Sequence, residues 1–211
     1  MISLKRVTAV FIVILLTSCL QTESAEKKVT YSSACVCKIN ETGEPCKGEY
    51  RWAIKTDKEL PPKSITDVAP SEIGTWKGPG EEYHLEKRTG KEINWYRVTG
   101  KVTQVRAEPD GDLHIMLVDK DGKSNVNVVV EVPLGDMWCD IRKSVFGWAA
   151  DVKFPLDRKT LTLNREHVVS VVGKAFYDGK YAEKEKTANR RKKSEETTIW
   201  EIHPVMELIE K

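Results

Sequence analysis

The stretch that decides the fold runs from Trp95 to Val132 and reads WYRVTGKVTQVRAEPDGDLHIMLVDKDGKSNVNVVVEV. It contains three runs rich in Val, Ile, Leu and Tyr, separated by Pro-Asp-Gly-Asp and Asp-Lys-Asp-Gly segments. Alternating apolar and polar residues are typical of half-buried strands, and such segments form the turns between neighbouring strands. The stretch therefore predicts a three-stranded antiparallel meander.

The second and third strands of this meander each have an apolar face. The predicted inward residues are Leu113, Ile115, Leu117, Val126, Val128, Val130 and Val132. The predicted outward residues are Asp112, His114, Met116, Asn127, Val129 and Glu131. If Leu117 pairs with Val126, His114 lies opposite Val129 and Asp112 lies opposite Glu131.

The residues after Pro133 extend the meander into a barrel. Asp136 is a candidate cap for an amphipathic helix, with apolar residues at steps of three and four. Those residues are Trp138, Ile141, Val145, Trp148 and Val152. Two further strands are expected, at His167–Tyr177 and Thr198–Ile209, and Gly100 and Gly173 mark bends in the first and fourth strands. This β-β-β-α-β-β order predicts an all-β protein with one helix, an OB-like five-stranded Greek-key barrel over residues 95–211.

The N-terminus has the marks of a secretory signal. Lys5 and Arg6 precede a short apolar run, which is too short to span a bilayer. The run ends in Leu-Thr-Ser-Cys, which resembles the lipobox of bacterial lipoproteins, and this resemblance implies a signal peptide over residues 1–18 and a lipid anchor on Cys19. Leu20 after the cysteine favours the outer membrane, facing the periplasm. The alternative is an ordinary cleaved signal. Residues 19–33 are polar and predict a flexible tether.

Residues 34–94 form a cysteine-containing extension that we expect to pack irregularly on the barrel. Within it, Tyr50–Thr56 alternates like a short strand, and residues 81–88 look like a solvated connection. Four cysteines besides Cys19 allow three disulfide connectivities in an oxidising compartment. They are Cys35, Cys37, Cys46 and Cys139. Because Cys35 and Cys37 flank one residue, we expect Cys46 to bond one of them and Cys139 the other. A thiolate metal site is the alternative, although the Cys-x-x-Cys pairs typical of zinc sites are absent.

Charge and motifs exclude several classes of function. Without residues 1–18, Lys plus Arg falls from 34 to 32, which equals the 32 Asp plus Glu. A global basic field for nucleic acid is therefore absent. The chain also lacks a serine nucleophile elbow, a Walker loop, a dinucleotide fingerprint and a His-Glu-x-x-His motif.

Two groups of residues could carry chemistry or binding. The first is Asp112, His114, Glu131, Asp178, Glu201 and His203. In a barrel of the predicted order the third strand lies beside the second and the fifth, so Glu131 can approach both His114 and His203. Such a set can bind a divalent metal or act as an acid–base pair, or it can simply hold strands together.

The second group lies in the loop over residues 179–196, which borders the ligand groove in barrels of this kind. The loop contains seven cations: Lys180, Lys184, Lys186, Arg190, Arg191, Lys192 and Lys193. With Tyr177 and Tyr181 as stacking faces, they could bind a polyanion, although glutamates in the same loop dilute the charge.

Several segments together resemble a group of exported bacterial proteins of uncharacterised function. They include Tyr96–Gly100, Asp110–His114, Val130–Pro133, Val171–Asp178 and the closing Trp200-Glu-Ile-His-Pro-Val205. The resemblance covers roughly residues 50 to 209. It implies a barrel and an exported location, and it implies no particular activity.

The sequence thus favours a lipid-anchored protein of the bacterial cell envelope that acts as a non-enzymatic binding module for a polyanion, an oligosaccharide or a protein. The candidate ligand-binding residues are Asp112, His114, Glu131, Tyr177, Arg190 and Arg191. No cofactor or metal is assigned. The alternatives are a metal-assisted, nuclease-like hydrolase that uses His114, Glu131 and His203, and a purely structural envelope protein.

Overall fold

Six β-strands form one sheet in the structure, a computed structural model that describes Cys35 and residues 50–80, 86–150, 152, 160–182, 189, 191 and 196–211. The strands are β1 (Thr66–Val68), β2 (Trp95–Ala107), β3 (Leu113–Asp119), β4 (Asn127–Val132), β5 (Val168–Tyr177) and β6 (Thr197–Glu210). The predicted meander corresponds to β2, β3 and β4, which pair in antiparallel order.

The last five strands close into a barrel. Starting from β2, the order around the barrel is β2-β3-β4-β6-β5, and β5 pairs back onto β2. All pairs are antiparallel except β4 with β6, which run parallel. A helix, α3 (Cys139–Phe146), lies in the connection between β4 and β5, whereas α1 (Trp52–Lys55) and α2 (Pro70–Ile73) are single turns. The predicted OB-like barrel with one helix is confirmed.

The interior is apolar, as the alternation predicts. Leu113, Ile115 and Leu117 of β3 are fully buried and belong to the main hydrophobic cluster, together with Val128, Val130 and Val132 of β4. Burying one such side chain contributes about 1.5–3 kcal/mol, so this cluster is a major part of the stability of the barrel. None of the helices in the described residues is long and apolar enough to cross a membrane.

The predicted register between β3 and β4 is wrong by two residues. Leu117 pairs with Val128 rather than Val126, and His114 pairs with Glu131 rather than Val129. Because side chains alternate with a period of two, this shift leaves every side chain on its predicted face and changes only its cross-strand partner.

Two local predictions are also wrong. The segment Tyr50–Thr56 forms the turn α1 instead of a strand, because Arg51 adopts a left-handed conformation and its carbonyl accepts bonds from the amides of Ile54 and Lys55. Asp136 does not cap α3. A 3-10 turn, Asp136–Trp138, comes first, and the helix begins at Cys139 with no side-chain cap and ends at Phe146.

The extension is joined to the barrel by a disulfide and by β-pairing. Cys35 is bonded to Cys139, with a Cα–Cα distance of 4.9 Å, which agrees with the expectation that Cys139 bonds Cys35 or Cys37. β1 pairs in parallel with the start of β2. Residues 1–34, Cys37 and Cys46 lie outside the described residues, so the signal peptide, the anchor on Cys19 and the second disulfide stay predictions.

The two predicted glycine bends are points where strands approach closely. A Cβ on Gly100 would lie 2.6 Å from the carbonyl oxygen of Val118. A Cβ on Gly173 would lie 2.6 Å from Cγ2 of Ile202 and closer still to the carbonyl oxygen of Pro204, and the β5–β6 register shifts at this residue. Both contacts involve strand backbone, which cannot move away without breaking the ladder.

We therefore expect Gly173→Ala to destabilise the fold by about 1–3 kcal/mol, since it overpacks the β5–β6 contact. Chemical denaturation of the mature protein measures the change. Glu207→Ala, at an exposed position of β6, serves as the matched control and should stay within about 0.5 kcal/mol. A neutral Gly173→Ala variant would contradict the close approach.

Candidate functional site

A cluster of ionisable side chains lies on the outer face of the barrel. Asp112 ends the β2–β3 turn, His114 lies on β3, Glu131 lies on β4, and Glu201 and His203 lie on β6. Because β4 is hydrogen-bonded to both β3 and β6, Glu131 stands between the two histidines. We call these five residues the polar cluster.

Two histidines and three carboxylates contact one another in the polar cluster. Nδ1 of His203 lies 2.8 Å from Oε2 of Glu131 and 3.7 Å from Oε2 of Glu201, while Nε2 lies 3.3 Å from Oδ2 of Asp112. On the other side, Oε1 of Glu131 lies 3.0 Å from Nδ1 of His114. Each imidazole of the cluster thus contacts at least one carboxylate.

The polar cluster points outward from the barrel, as predicted, but it is buried rather than open to solvent. Asp112 and His203 are 0% exposed, and His114 and Glu131 are only 5% and 6% exposed. α1 lies over them: Nζ of Lys55 is 3.7 Å from Oε2 of Glu131 and 5.3 Å from the centre of the Phe176 ring. A turn of the extension therefore fills the position that solvent was expected to occupy.

A buried ion pair holds α1 in place. The two terminal nitrogens of Arg51 bind the two carboxylate oxygens of Glu92 at 2.7 and 2.8 Å, and Glu92 also accepts the backbone N–H of Tyr177 at the end of β5. Both side chains are at most 1% exposed. The pair therefore ties the extension to the barrel next to the polar cluster.

Arg88 adds three hydrogen bonds across the same junction. Its guanidinium donates to the carbonyl oxygens of Ala175, Ile54 and His203 at 2.8–2.9 Å. Its side chain is only 9% exposed, so the prediction that Arg88 belongs to a solvated connection is wrong. Arg88 joins α1 to two barrel strands, and one of its acceptors is the backbone of a residue of the polar cluster.

The charges of the polar cluster shift its titration. Burial alone would lower the pKa of His203, but Glu131, Asp112 and Glu201 raise it to about 10. Burial would raise the pKa of Glu131, yet the two histidines and Lys55 hold it well below its usual range. Burial raises the pKa of Asp112. At neutral pH His203 is therefore an imidazolium, in contact with the carboxylates of Asp112, Glu131 and Glu201.

The predicted polyanion residues do not form an open basic surface in the described part of the loop. Tyr177 is fully buried, with its ring 5.1 Å from that of Trp200, so it offers no stacking face. Arg191 is turned inward, where it binds Glu201 and lies 4.5 Å over the ring of Tyr181. Arg190 lies outside the described residues.

A groove that no sequence pattern indicated lies beside β1 and β2. It has a volume of about 700 Å³, and it is lined by residues of β1, α2, β2 and the β3–β4 turn. Its charged residues are Asp67, Glu72, Arg97, Asp119, Lys120, Asp121 and Lys123. Four of them lie in one segment, 119–123, and the other three come from β1, α2 and β2, so the sequence alone does not bring them together.

Lys55, Arg51 and Glu92 were also missed. Each is an ordinary charged residue in the sequence, and its role depends on a partner far along the chain; Arg51 and Glu92 are 41 residues apart.

Comparisons with known protein families, with curated proteins and with solved structures find no match to this chain. The site is therefore interpreted from its own geometry.

We expect Arg51→Met to destabilise the protein by about 3–5 kcal/mol, because it leaves the charge of Glu92 buried without its cation. Arg51→Met combined with Glu92→Gln should cost less than the sum of the two single changes, since the second change removes that charge while Gln can still accept the Tyr177 N–H.

Chemical denaturation of the four proteins measures this coupling. The exposed pair of Lys123 and Asp121, 2.8 Å apart, is the control, and its variants should change stability by less than about 1 kcal/mol. Additive single changes at Arg51 and Glu92 would show that the pair does not hold the extension.

Proposed function

We propose that this protein is an exported, lipid-anchored module of the bacterial cell envelope that binds a ligand without transforming it. One observation carries the proposal: the residues suited to acid–base chemistry are buried under α1, whereas the groove beside β1 is open. A general acid or base must come within hydrogen-bond reach of its substrate, and a side chain that is 0% exposed, such as His203, has no such access here.

The chemistry of the groove favours an oligosaccharide. Four carboxylates and three cations line it, so its charges nearly balance, and the hydroxyl groups of Ser71, Thr99 and Ser124 lie among them. Sugar hydroxyls both donate and accept hydrogen bonds, so they can use this mixture, whereas a polyanion would meet the carboxylates. OB-like barrels elsewhere bind oligosaccharides, which agrees with the proposal on grounds of fold alone.

The two alternatives from the sequence have weaker support. A metal-assisted hydrolase would need the polar cluster to face a substrate, and α1 lies over it. Polyanion binding would need free cations around residues 179–196; of the two cations that the structure describes there, Arg191 is paired with Glu201 and Lys180 lies 4.0 Å from Asp178.

Export and anchoring are supported by the sequence pattern of residues 1–19 and by the disulfide between Cys35 and Cys139. Structural disulfides persist in oxidising compartments such as the periplasm. The resemblance to exported bacterial proteins agrees with the same location.

The anchor makes a direct prediction. Expressed in a bacterium with a lipoprotein pathway, the mature chain should begin at Cys19 and carry acyl groups, and Cys19→Ser should leave the protein unacylated. Intact-mass measurement after detergent extraction gives the result. An unmodified N-terminus at another residue in the wild type would exclude the anchor, and Cys37→Ser is the control that should keep it.

The groove makes a second prediction. Arg97→Gln should weaken binding of a neutral N-acetylglucosamine pentasaccharide roughly tenfold, because it removes a charged donor from the groove. Lys143→Gln on α3 is a closely matched control. Arg97 and Lys143 have side chains 40% and 39% exposed, and each is paired to an aspartate at 3.3 Å.

Calorimetric titration of the detergent-solubilised mature protein measures both variants. Salt-sensitive binding of heparin in place of the sugar would favour the polyanion alternative instead. Hydrolysis of a phosphodiester that stops on removal of metal would favour the hydrolase.

A further inference from the structure

Three residues of the polar cluster could hold a cation between them. Asp112, Glu131 and His203 each offer a donor atom, and these atoms lie within 4.8 Å of one another. Ligand atoms about 2.1 Å from one tetrahedral ion are about 3.4 Å apart, so the most distant pair of donors needs to approach by up to about 1.4 Å to share an ion. All three residues lie on or beside paired strands of the barrel, which limits their movement relative to one another.

The polar atoms of this trio are poorly satisfied. Both carboxylate oxygens of Asp112 and both ring nitrogens of His203 are buried, yet they form no directed hydrogen bond with the described residues, although His203 lies 2.8 Å from Glu131 and 3.3 Å from Asp112. Oε2 of the neighbouring Glu201 is also buried and also forms no directed hydrogen bond with the described residues. Buried polar groups are rarely left in this state, and an unseen ion or water is one of the few explanations.

The charged partners of the carboxylates also favour a bound cation. Glu131 has Lys55 and Glu201 has Arg191, but no lysine or arginine among the described residues lies within 4.0 Å of Asp112. A buried carboxylate needs a cation or a proton, and here the nearest cationic group is the shared imidazole of His203. A divalent ion that displaced the His203 proton would leave a neutral imidazole and balance the two carboxylates of the trio.

We propose that Asp112, Glu131 and His203 form a structural site for a divalent transition-metal ion of the zinc class. One imidazole nitrogen with two carboxylate oxygens is a donor set that suits such an ion better than Mg²⁺ or Ca²⁺, which prefer oxygen alone. His114 and Glu201 are in place as outer partners, since each contacts a residue of the trio rather than completing it.

The role of the ion is structural because the site is closed. α1 and Lys55 cover it, so a substrate has no path to an ion held there, whereas a catalytic metal keeps a position open to its substrate. The ion would join the β2–β3 turn to β4 and β6, and these segments are distant in the chain. This inference is independent of the groove and its ligand.

The test uses detergent-solubilised mature protein, stripped with a chelator and titrated with ZnCl₂. We expect one ion per chain and a rise in Tm of roughly 5 °C or more at a free Zn²⁺ concentration 100-fold above Kd, with no comparable effect of MgCl₂. Asp112→Asn should weaken binding roughly 100-fold or more, and His114→Gln, an outer partner, roughly tenfold. Asp140→Asn, whose side chain is 97% exposed, is the control and should bind as the wild type does.

X-ray absorption on the zinc-loaded wild type tests the site even if Asp112→Asn fails to fold. The proposal expects nitrogen and oxygen donors with the scattering signature of one imidazole. Sulfur donors would assign the ion to cysteines and overturn it, as would unchanged binding by a folded Asp112→Asn variant. Absence of Zn²⁺ binding by the wild type would overturn it as well, and none of these results bears on sugar binding in the groove.

Discussion

The ion pair between Arg51 and Glu92 is the constraint on which the candidate site depends. Arg51 belongs to the extension, Glu92 belongs to the 3-10 turn Gly90–Ile93 just before β2, and the carboxylate of Glu92 also binds the end of β5. A pair this deeply buried is stable only because each charge is neutralised by the other and both carboxylate oxygens of Glu92 accept hydrogen bonds. It places α1 against the barrel, and Lys55 then reaches Glu131.

This arrangement changes which surface of the barrel is open. In OB-like barrels the ligand face lies on the second and third strands, which here are β3 and β4, and between the loops that flank them. In this protein that face bears the polar cluster and is covered by α1, so the chain itself occupies the usual ligand position. The open groove lies instead beside β1, a strand that the extension adds to the sheet.

The fold could be predicted because its signals are local and agree with one another. Alternation in β3 and β4, Gly-containing turns between them and one helix before the last two strands lead to a single barrel order. The helical turn α1 could not be predicted, because the alternation of Tyr50, Trp52 and Ile54 is overridden by the partner of Arg51, which lies 41 residues away. The convergence of Glu131 with His114 and His203 could be anticipated from strand order, but the burial of these three side chains could not. Polar residues on an alternating strand indicate solvent unless another segment, whose docking no local pattern encodes, lies over them.

The position of β6 has a consequence for the order in which the barrel can close. β6, a strand of 14 residues, follows β4 and β5 in the chain. In the barrel it lies between them and pairs with both. Until β6 is in place, β4 and β5 each have an unpaired edge, so the first four strands of the barrel cannot close it by themselves. The pairing of β6 is therefore the step that removes both open edges, which are the parts of an incomplete sheet most prone to pair with another chain.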